Sequence, residues 1–146
     1  MEICAITERD RQDYLAMAGE FYSSSAVIKS VPQGNLIATF NECLSSKVYA
    51  ECFIFRCGGK VAGYGLIAKT FSQEAGGLVI WFEEVYVKEE YRGRGFGGKF
   101  FEYVFKLYPA ARYRLEVERQ NERAVKLYEK LGFEFFEYDQ MIKEKI

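Results

Sequence analysis

Glu83-Glu84-Val85-Tyr86-Val87-Lys88-Glu89-Glu90-Tyr91-Arg92-Gly93-Arg94-Gly95-Phe96-Gly97-Gly98 joins an apolar strand to an amphipathic helix. Upstream, Val79-Ile80-Trp81-Phe82 is apolar on both faces, as expected of a central strand, so the strand is read as 78–87. Downstream, Phe100, Val104 and Leu107 share one helical face and Pro109 ends the helix, read as 95–107. A glycine-rich turn between strand and helix aims unpaired main-chain N–H groups and the positive helix end at one spot, which makes an anion site. Glycine at 95 and 97 lets the main chain approach phosphate oxygens, and Arg92 and Arg94 can add charge-assisted bonds.

On the C-terminal side, the spacing predicts a strand over 113–118. A helix then starts at Asn121, with Ala124, Leu127, Tyr128 and Leu131 on one face and Gly132 closing it. Strand, helix and strand form a βαβ unit, so 78–87 and 113–118 should run parallel. The tail, 133–143, reads as a final hairpin. On the N-terminal side, a short strand over 2–6 leads into Thr7-x-x-Asp10, a capping box, and a helix carrying Leu15, Ala18 and Tyr22. A second helix follows Pro32-Gln33-Gly34, with Leu36, Phe40, Cys43 and Leu44 on one face. Two β-rich stretches, 48–57 and 61–71, flank Gly58-Gly59, a hairpin signal because both positions tolerate positive φ. The expected fold class is α/β: one domain, 1–146, with a mixed β-sheet flanked by helices.

Composition narrows the chemistry. The 146 residues are 49% hydrophobic and contain no histidine. That removes His-based nucleophilic triads and His-ligated zinc, and no metal site is expected. Lys and Arg number 20 against 21 Asp and Glu, so no global field steers a nucleic acid. The charge is uneven, however: residues 88–130 hold eleven basic and seven acidic side chains, and the flanking segments are acidic. A polyanionic ligand on the former and a cation near the latter fit this pattern, as do plain solvated faces. Cys4, Cys43, Cys52 and Cys57 lack C-x-x-C spacing and read as small apolar residues of a cytoplasmic protein. No apolar run reaches the roughly 20 residues of a bilayer span.

The loop admits two pyrophosphate ligands. Gly93-x-Gly95-x-x-Gly98 matches the dinucleotide fingerprint, with Glu116 or Glu118 downstream, but too few strands follow for that fold. Arg92-x-x-Gly95-x-Gly97 resembles the pyrophosphate-binding motif of the GNAT acetyltransferases. The likeness extends to Glu83–Val87 as that family's fourth strand, Leu115-Glu116-Val117 as its fifth, and Asn121, Ala124, Tyr128 and Leu131-Gly132-Phe133 as the next helix. Residues 1–77 match only in the order of their elements, and the Pro often found two residues after the fourth strand is Glu89 here.

The resemblance implies an acyl-CoA N-acyltransferase fold and acetyl-CoA as co-substrate. Its pantetheine arm would pair with the backbone of Val85, Tyr86 and Val87. Its diphosphate would lie on the amides of Gly93, Arg94, Gly95, Phe96, Gly97 and Gly98, with Arg92 and Arg94 at the rim. A backbone N–H near Val85 or Val87 would polarise the acetyl carbonyl. Glu83 aligns with an acidic residue of polyamine, aminoglycoside and histone acetyltransferases, and Glu116 with the base proposed for ribosomal-protein N-terminal acetyltransferases. Glu83 is preferred as base because Glu84 beside it suits a cationic acceptor; the alternative is that Glu84 or Glu116 simply faces solvent or pairs with Arg114, which for Glu84 explains the residue equally well. Tyr128 would serve the departing thiolate, unless it is simply a packed tyrosine. Asn121 caps its helix and would touch the pantetheine arm. The acceptor expected is a small cationic amine. The alternatives are a peptide N-terminus or a non-catalytic CoA-binding module, and a homodimer is the assembly entertained.

Overall fold

Hydrophobic alternation along residues 50–87 builds the centre of the molecule. The computed structural model describes residues 1–145. The elements run β1 (Glu2–Ala5), α1 (Arg11–Tyr22), α2 (Gln33–Ser45), β2 (Ala50–Cys57), β3 (Lys60–Ser72), β4 (Gly77–Val87), α3 (Phe96–Leu107), β5 (Arg112–Leu115) and α4 (Glu122–Lys130). The strands form one sheet in chain order. β1 to β4 pair antiparallel, and β5 joins β4 in parallel across α3, as the βαβ reading requires.

Period-two alternation gives the sheet two apolar faces. Cys52, Ile54, Tyr64, Leu66 and Tyr86 pack with Tyr14, Met17, Leu36 and Phe40 of α1 and α2. Phe53, Phe55, Ile67, Ile80 and Phe82 pack on the other side with Phe96, Phe100, Phe101 and Val104 of α3. Gly58 and Gly59 make the β2–β3 turn with φ of 57° and 78°. Thr7 and Asp10 close the expected capping box, and the buried Asp10 also pairs with Arg56 at 2.5 Å. Cys43 and Cys52 are buried and Cys4 and Cys57 half-buried, all as free thiols.

Two expectations fail. The segment 133–143 forms no strand, so the final hairpin is absent among the described residues. Its aromatic side chains spend themselves locally instead: Phe133 folds back under α4, and Phe136 lies beneath the guanidinium groups of Arg112 and Arg114 at 5.2 and 5.0 Å. The last strand ends at Leu115 rather than Glu118, because its partner β4 turns away there.

Candidate active site

The parallel ladder runs from Val79 opposite Arg112 to Phe82 opposite Leu115 and then opens. A β-bulge explains the opening. Leu66 faces Glu84 and Ile67 faces Phe82, so Glu83 is the extra residue of β4. Inserting one residue flips the alternation: Ile80 and Phe82 face α3, whereas Glu84 and Tyr86 turn toward α1. The added twist carries β4 away from β5. Lys88 donates its N–H to Ala62 at 2.8 Å, so by antiparallel alternation Glu84 and Tyr86 direct their main chain at β3. Val85 and Val87 therefore present their N–H groups at the open edge. The Val87 carbonyl there accepts from Arg92 Nε at 2.9 Å.

The glycine loop closes one end of this opening. Gly93 and Gly95 hold φ of 76° and 80°, in the left-handed region that side chains with a Cβ avoid. Gly95 directly precedes α3, whose first backbone bond runs from Lys99 N–H to the Gly95 carbonyl. Among the described residues, no main-chain N–H from Gly93 to Gly98 donates to a backbone carbonyl. A Cβ on Gly98 would meet nothing within 4 Å.

Opening and loop together line a cleft of about 720 Å³. It brings together Glu83, Glu116, Tyr128, Asn121, Val85, Tyr86, Val87, Arg92, Gly93, Gly95, Phe96, Gly97 and Gly98. Arg94 is not in its lining: its guanidinium donates to the Glu90 carbonyl at 3.1 Å and lies over the Tyr91 ring. Phe96 is buried against Tyr91, and its N–H is free of backbone partners among the described residues. Tyr86 contributes no free main-chain group. The opposite wall is Glu20, Phe21, Ser24 and Ala26, at the end of α1 and just beyond. No motif marks that wall, since it is joined to β4 only through tertiary contacts.

The titratable groups differ in environment. Glu83 reaches solvent but sits in the cleft wall, and partial desolvation, then the Glu116 and Glu84 carboxylates, raise its pKa above the usual 4.5. Glu84 is only 7% exposed and accepts from Tyr22 Oη and, at 2.6 Å, from Tyr64 Oη. Burial raises its pKa, and the two phenols oppose that shift. It thus neither faces bulk solvent nor hangs free for a cation. Glu116 is exposed and makes no ion pair among the described residues, because Arg114 stacks on Trp81 at 4.2 Å.

Tyr128 is placed by the end of α4. Phe133 N–H bonds back to the Tyr128 carbonyl and Gly132 N–H to that of Glu129, a Schellman closure whose apolar contact is the Tyr128–Phe133 pair. Its ring packs on Phe101 at 5.6 Å, while its hydroxyl has no protein partner among the described residues. Burial pushes this phenol above its usual 10.0. Asn121 Oδ1 accepts from Ala124 N–H at 3.3 Å, the expected cap. Burial also pushes the Cys43 thiol up to about 11 and raises Cys52, so neither offers a ready thiolate. No group of three or more His, Cys, Asp or Glu among the described residues could hold a metal, and no helix there is long and apolar enough to cross a membrane.

Comparison with known proteins places this geometry. Residues 15–133 match the model of the family described as Acetyltransferase (GNAT). Thialysine N-epsilon-acetyltransferase of Sus scrofa is 38% identical over 78 residues, covering 51% of this chain and 45% of that protein. Spermine/spermidine N(1)-acetyltransferase of Bacillus subtilis is 31% identical over 78 residues, covering 51% of each. The chain thus spans about half the length of the curated relatives it matches. Among solved structures, a possible acetyltransferase from Clostridium difficile 630 superposes with a TM-score of 0.86 at 21% identity, covering 99% of this chain and 97% of that one. An aminoglycoside N-acetyltransferase in complex with CoA does so at 0.79 and 15% identity, covering 99% and 95%. At such identities these two show a shared fold.

Proposed function

Since the chain belongs to the GNAT acetyltransferase family, we propose that it moves the acetyl group of acetyl-CoA to a primary amine of a small cationic molecule by direct attack. One observation carries this reading: the outward N–H groups of Val85 and Val87, the free amides of Gly93 to Gly98, the Glu83 carboxylate and Tyr128 all converge on one cleft. A CoA diphosphate suits the loop, which offers unpaired donors at a helix N-terminus with Arg92 at its rim. Acetyl-CoA, when bound, supplies the thioester carbonyl and the departing thiolate.

The chain's own groups do the rest. A main-chain N–H of Val85 or Val87 donates to the acetyl oxygen, a contribution of about 3 kcal/mol where charge builds up. An amine with a pKa near 10 arrives protonated, so a base must take its proton. Glu83 suits that role: it stands at the opening and its raised pKa makes it a better acceptor than a free carboxylate. Glu116, one step beyond the last β5 rung, raises the proton affinity of Glu83 and adds to the negative field felt by an ammonium. The Tyr128 hydroxyl, free of protein partners among the described residues, would donate to the thiolate. Asn121 fixes the start of α4 and borders the arm of the cofactor.

Glu20, Glu83 and Glu116 on the acceptor side support a cationic amine, and two relatives carry names of amine acetyltransferases. The proposal takes 1–146 as one catalytic domain, a cytoplasmic location as one that accords with four free thiols, and a homodimer as the assembly. Titration calorimetry with acetyl-CoA and with NAD separates the two pyrophosphate ligands. Release of free CoA across a panel of polyamines, aminoglycosides, amino-acid derivatives and peptides then reads the acceptor. Preference for peptides with free N-termini would overturn the small-amine reading, and CoA binding without thiol release from any amine would make the chain a non-catalytic CoA-binding module.

A further inference from the structure

The end of α1 and the open half of β4 carry the same pair of residue types at the same spacing, Glu20-x-Tyr22 and Glu84-x-Tyr86. They engage reciprocally. Tyr22 of α1 donates its hydroxyl to Glu84 of β4, and Tyr86 of β4 donates its hydroxyl to Glu20 of α1. Both bonds join phenol to carboxylate, the stronger class of neutral-to-charged hydrogen bond. Burial and the adjoining carboxylates raise both phenol pKa values, Tyr86 to about 12, so both remain donors at neutral pH. A third phenol, Tyr64 of β3, donates to Glu84 at 2.6 Å, but that bond stays within the sheet.

We propose that Glu20, Tyr22, Glu84 and Tyr86 form a reciprocal clasp that positions the acceptor half of the cleft, with Tyr22 and Glu84 acting through the groups they hold. This rests on the transfer reaction proposed above. The clasp ties the wall made by Glu20, Phe21, Ser24 and Ala26 to the floor made by Glu83 to Val87. Tyr14, Met17 and Ala18 anchor the body of α1 in the core, but beyond Tyr22 the chain has no regular structure until Gln33, so the clasp is the side-chain hydrogen-bond tie between the end of α1 and β4 among the described residues. The clasp also locks the bulge. With Glu84 taken by two phenols, Glu83 is the carboxylate of the pair that has no protein hydrogen bond among the described residues; a slip of one position would exchange them. Tyr22 itself does not line the cleft, so its hydroxyl can influence the acceptor only through Glu84 and the position of α1.

The test compares two phenols on one carboxylate. Tyr22→Phe and Tyr64→Phe each remove a single hydroxyl from Glu84, yet only the first cuts a tie between α1 and the sheet. Hydrogen exchange is measured on the free protein at the amides of 19–26, together with KM for the best small amine and the Kd for acetyl-CoA. Tyr22→Phe should speed exchange at 19–26 about tenfold and raise the amine KM about tenfold, the size of one hydrogen bond to a charged group, with acetyl-CoA affinity unchanged. Tyr86→Phe should reproduce the faster exchange, whereas Tyr64→Phe should leave 19–26 and the amine KM as in wild type. Equal effects of Tyr22→Phe and Tyr64→Phe, unchanged exchange in Tyr22→Phe, or faster exchange with an unaltered amine KM would each overturn the proposal. Absence of CoA release from wild type with any amine would defeat the transfer reading separately, and the exchange comparison would still decide whether the clasp holds α1.

Discussion

Tyr128→Phe removes one oxygen from a side chain whose ring is fixed and whose hydroxyl is not. The ring keeps its contacts with Phe101 and Phe133, and the Schellman closure beneath it is main chain. Because no protein group bonds to the hydroxyl among the described residues, its loss orphans nothing, and stability should change by less than about 0.5 kcal/mol. The kinetic consequence follows from the direction of the pKa. A phenol already near 10 and raised further by burial faces a thiol near 8.5, so complete proton transfer is uphill by at least about 2 kcal/mol. If Tyr128 serves the departing thiolate, its contribution is mainly a hydrogen bond worth about 1.5 to 3 kcal/mol, and turnover should fall about 10- to 150-fold. Steady-state kcat, acetyl-CoA Kd and Tm measured on one preparation provide the assay. Wild-type kcat, or a large loss of Tm with turnover per folded molecule preserved, would refute this role and leave Tyr128 as packing alone.

For the base, kcat/KM for the amine should decline as pH falls through the raised Glu83 pKa, and Glu83→Gln should lower it about 10²- to 10⁴-fold while sparing acetyl-CoA affinity. Glu116→Gln, by removing a negative neighbour, should shift that acid limb to lower pH; an active Glu83→Gln beside a dead Glu116→Gln would transfer the role to Glu116. At the loop, Gly95→Ala should cost about 1 kcal/mol of stability, read by thermal denaturation, because φ is 80° there, and should weaken acetyl-CoA binding measured by calorimetry. Burial acts to raise the Asp10 pKa, but bonds from the Thr7 N–H and hydroxyl and from Arg56 outweigh it and leave it lowered. Its contribution, about 2 kcal/mol, is thus present above the unfolded value near 3.8 and lost as pH falls through the lower folded one. Urea denaturation of Asp10→Asn should show that deficit at pH 7 and a shrinking one below pH 4.

What was legible in the sequence is what local chemistry dictates. Gly58-Gly59 announces its hairpin, the Phe100–Val104–Leu107 stripe its helix, and the glycine run its free amides, because each signal lies within one element. The bulge at Glu83 was not legible, since it depends on how β3 and β4 register, with Ile67 opposite Phe82 and Leu66 opposite Glu84. Other features depend in the same way on tertiary partners. Residues 116–118 have strand-like composition but lose their partner once β4 turns away. Residues 133–143 form no strand although the outer edge of β5 is free among the described residues, and their aromatics stack on Tyr128, Arg112 and Arg114 instead. The burial of Glu84 is invisible in the sequence because its phenol partners come from positions 22 and 64. Arg94 counted as a rim charge on proximity alone, whereas its guanidinium is taken by the Glu90 carbonyl.

The central claim is that this cleft transfers an acetyl group directly from CoA to an amine. A single-turnover mixture of wild-type protein with equimolar acetyl-CoA, run with and without a small polyamine and read by mass spectrometry, tests it in one step. The account predicts one acetylated amine for each CoA released, release only when amine is present, and no acetylated protein along the way. Bound acetyl-CoA that stays intact with every amine offered, or an acetyl group found on the protein before it reaches the amine, would contradict it.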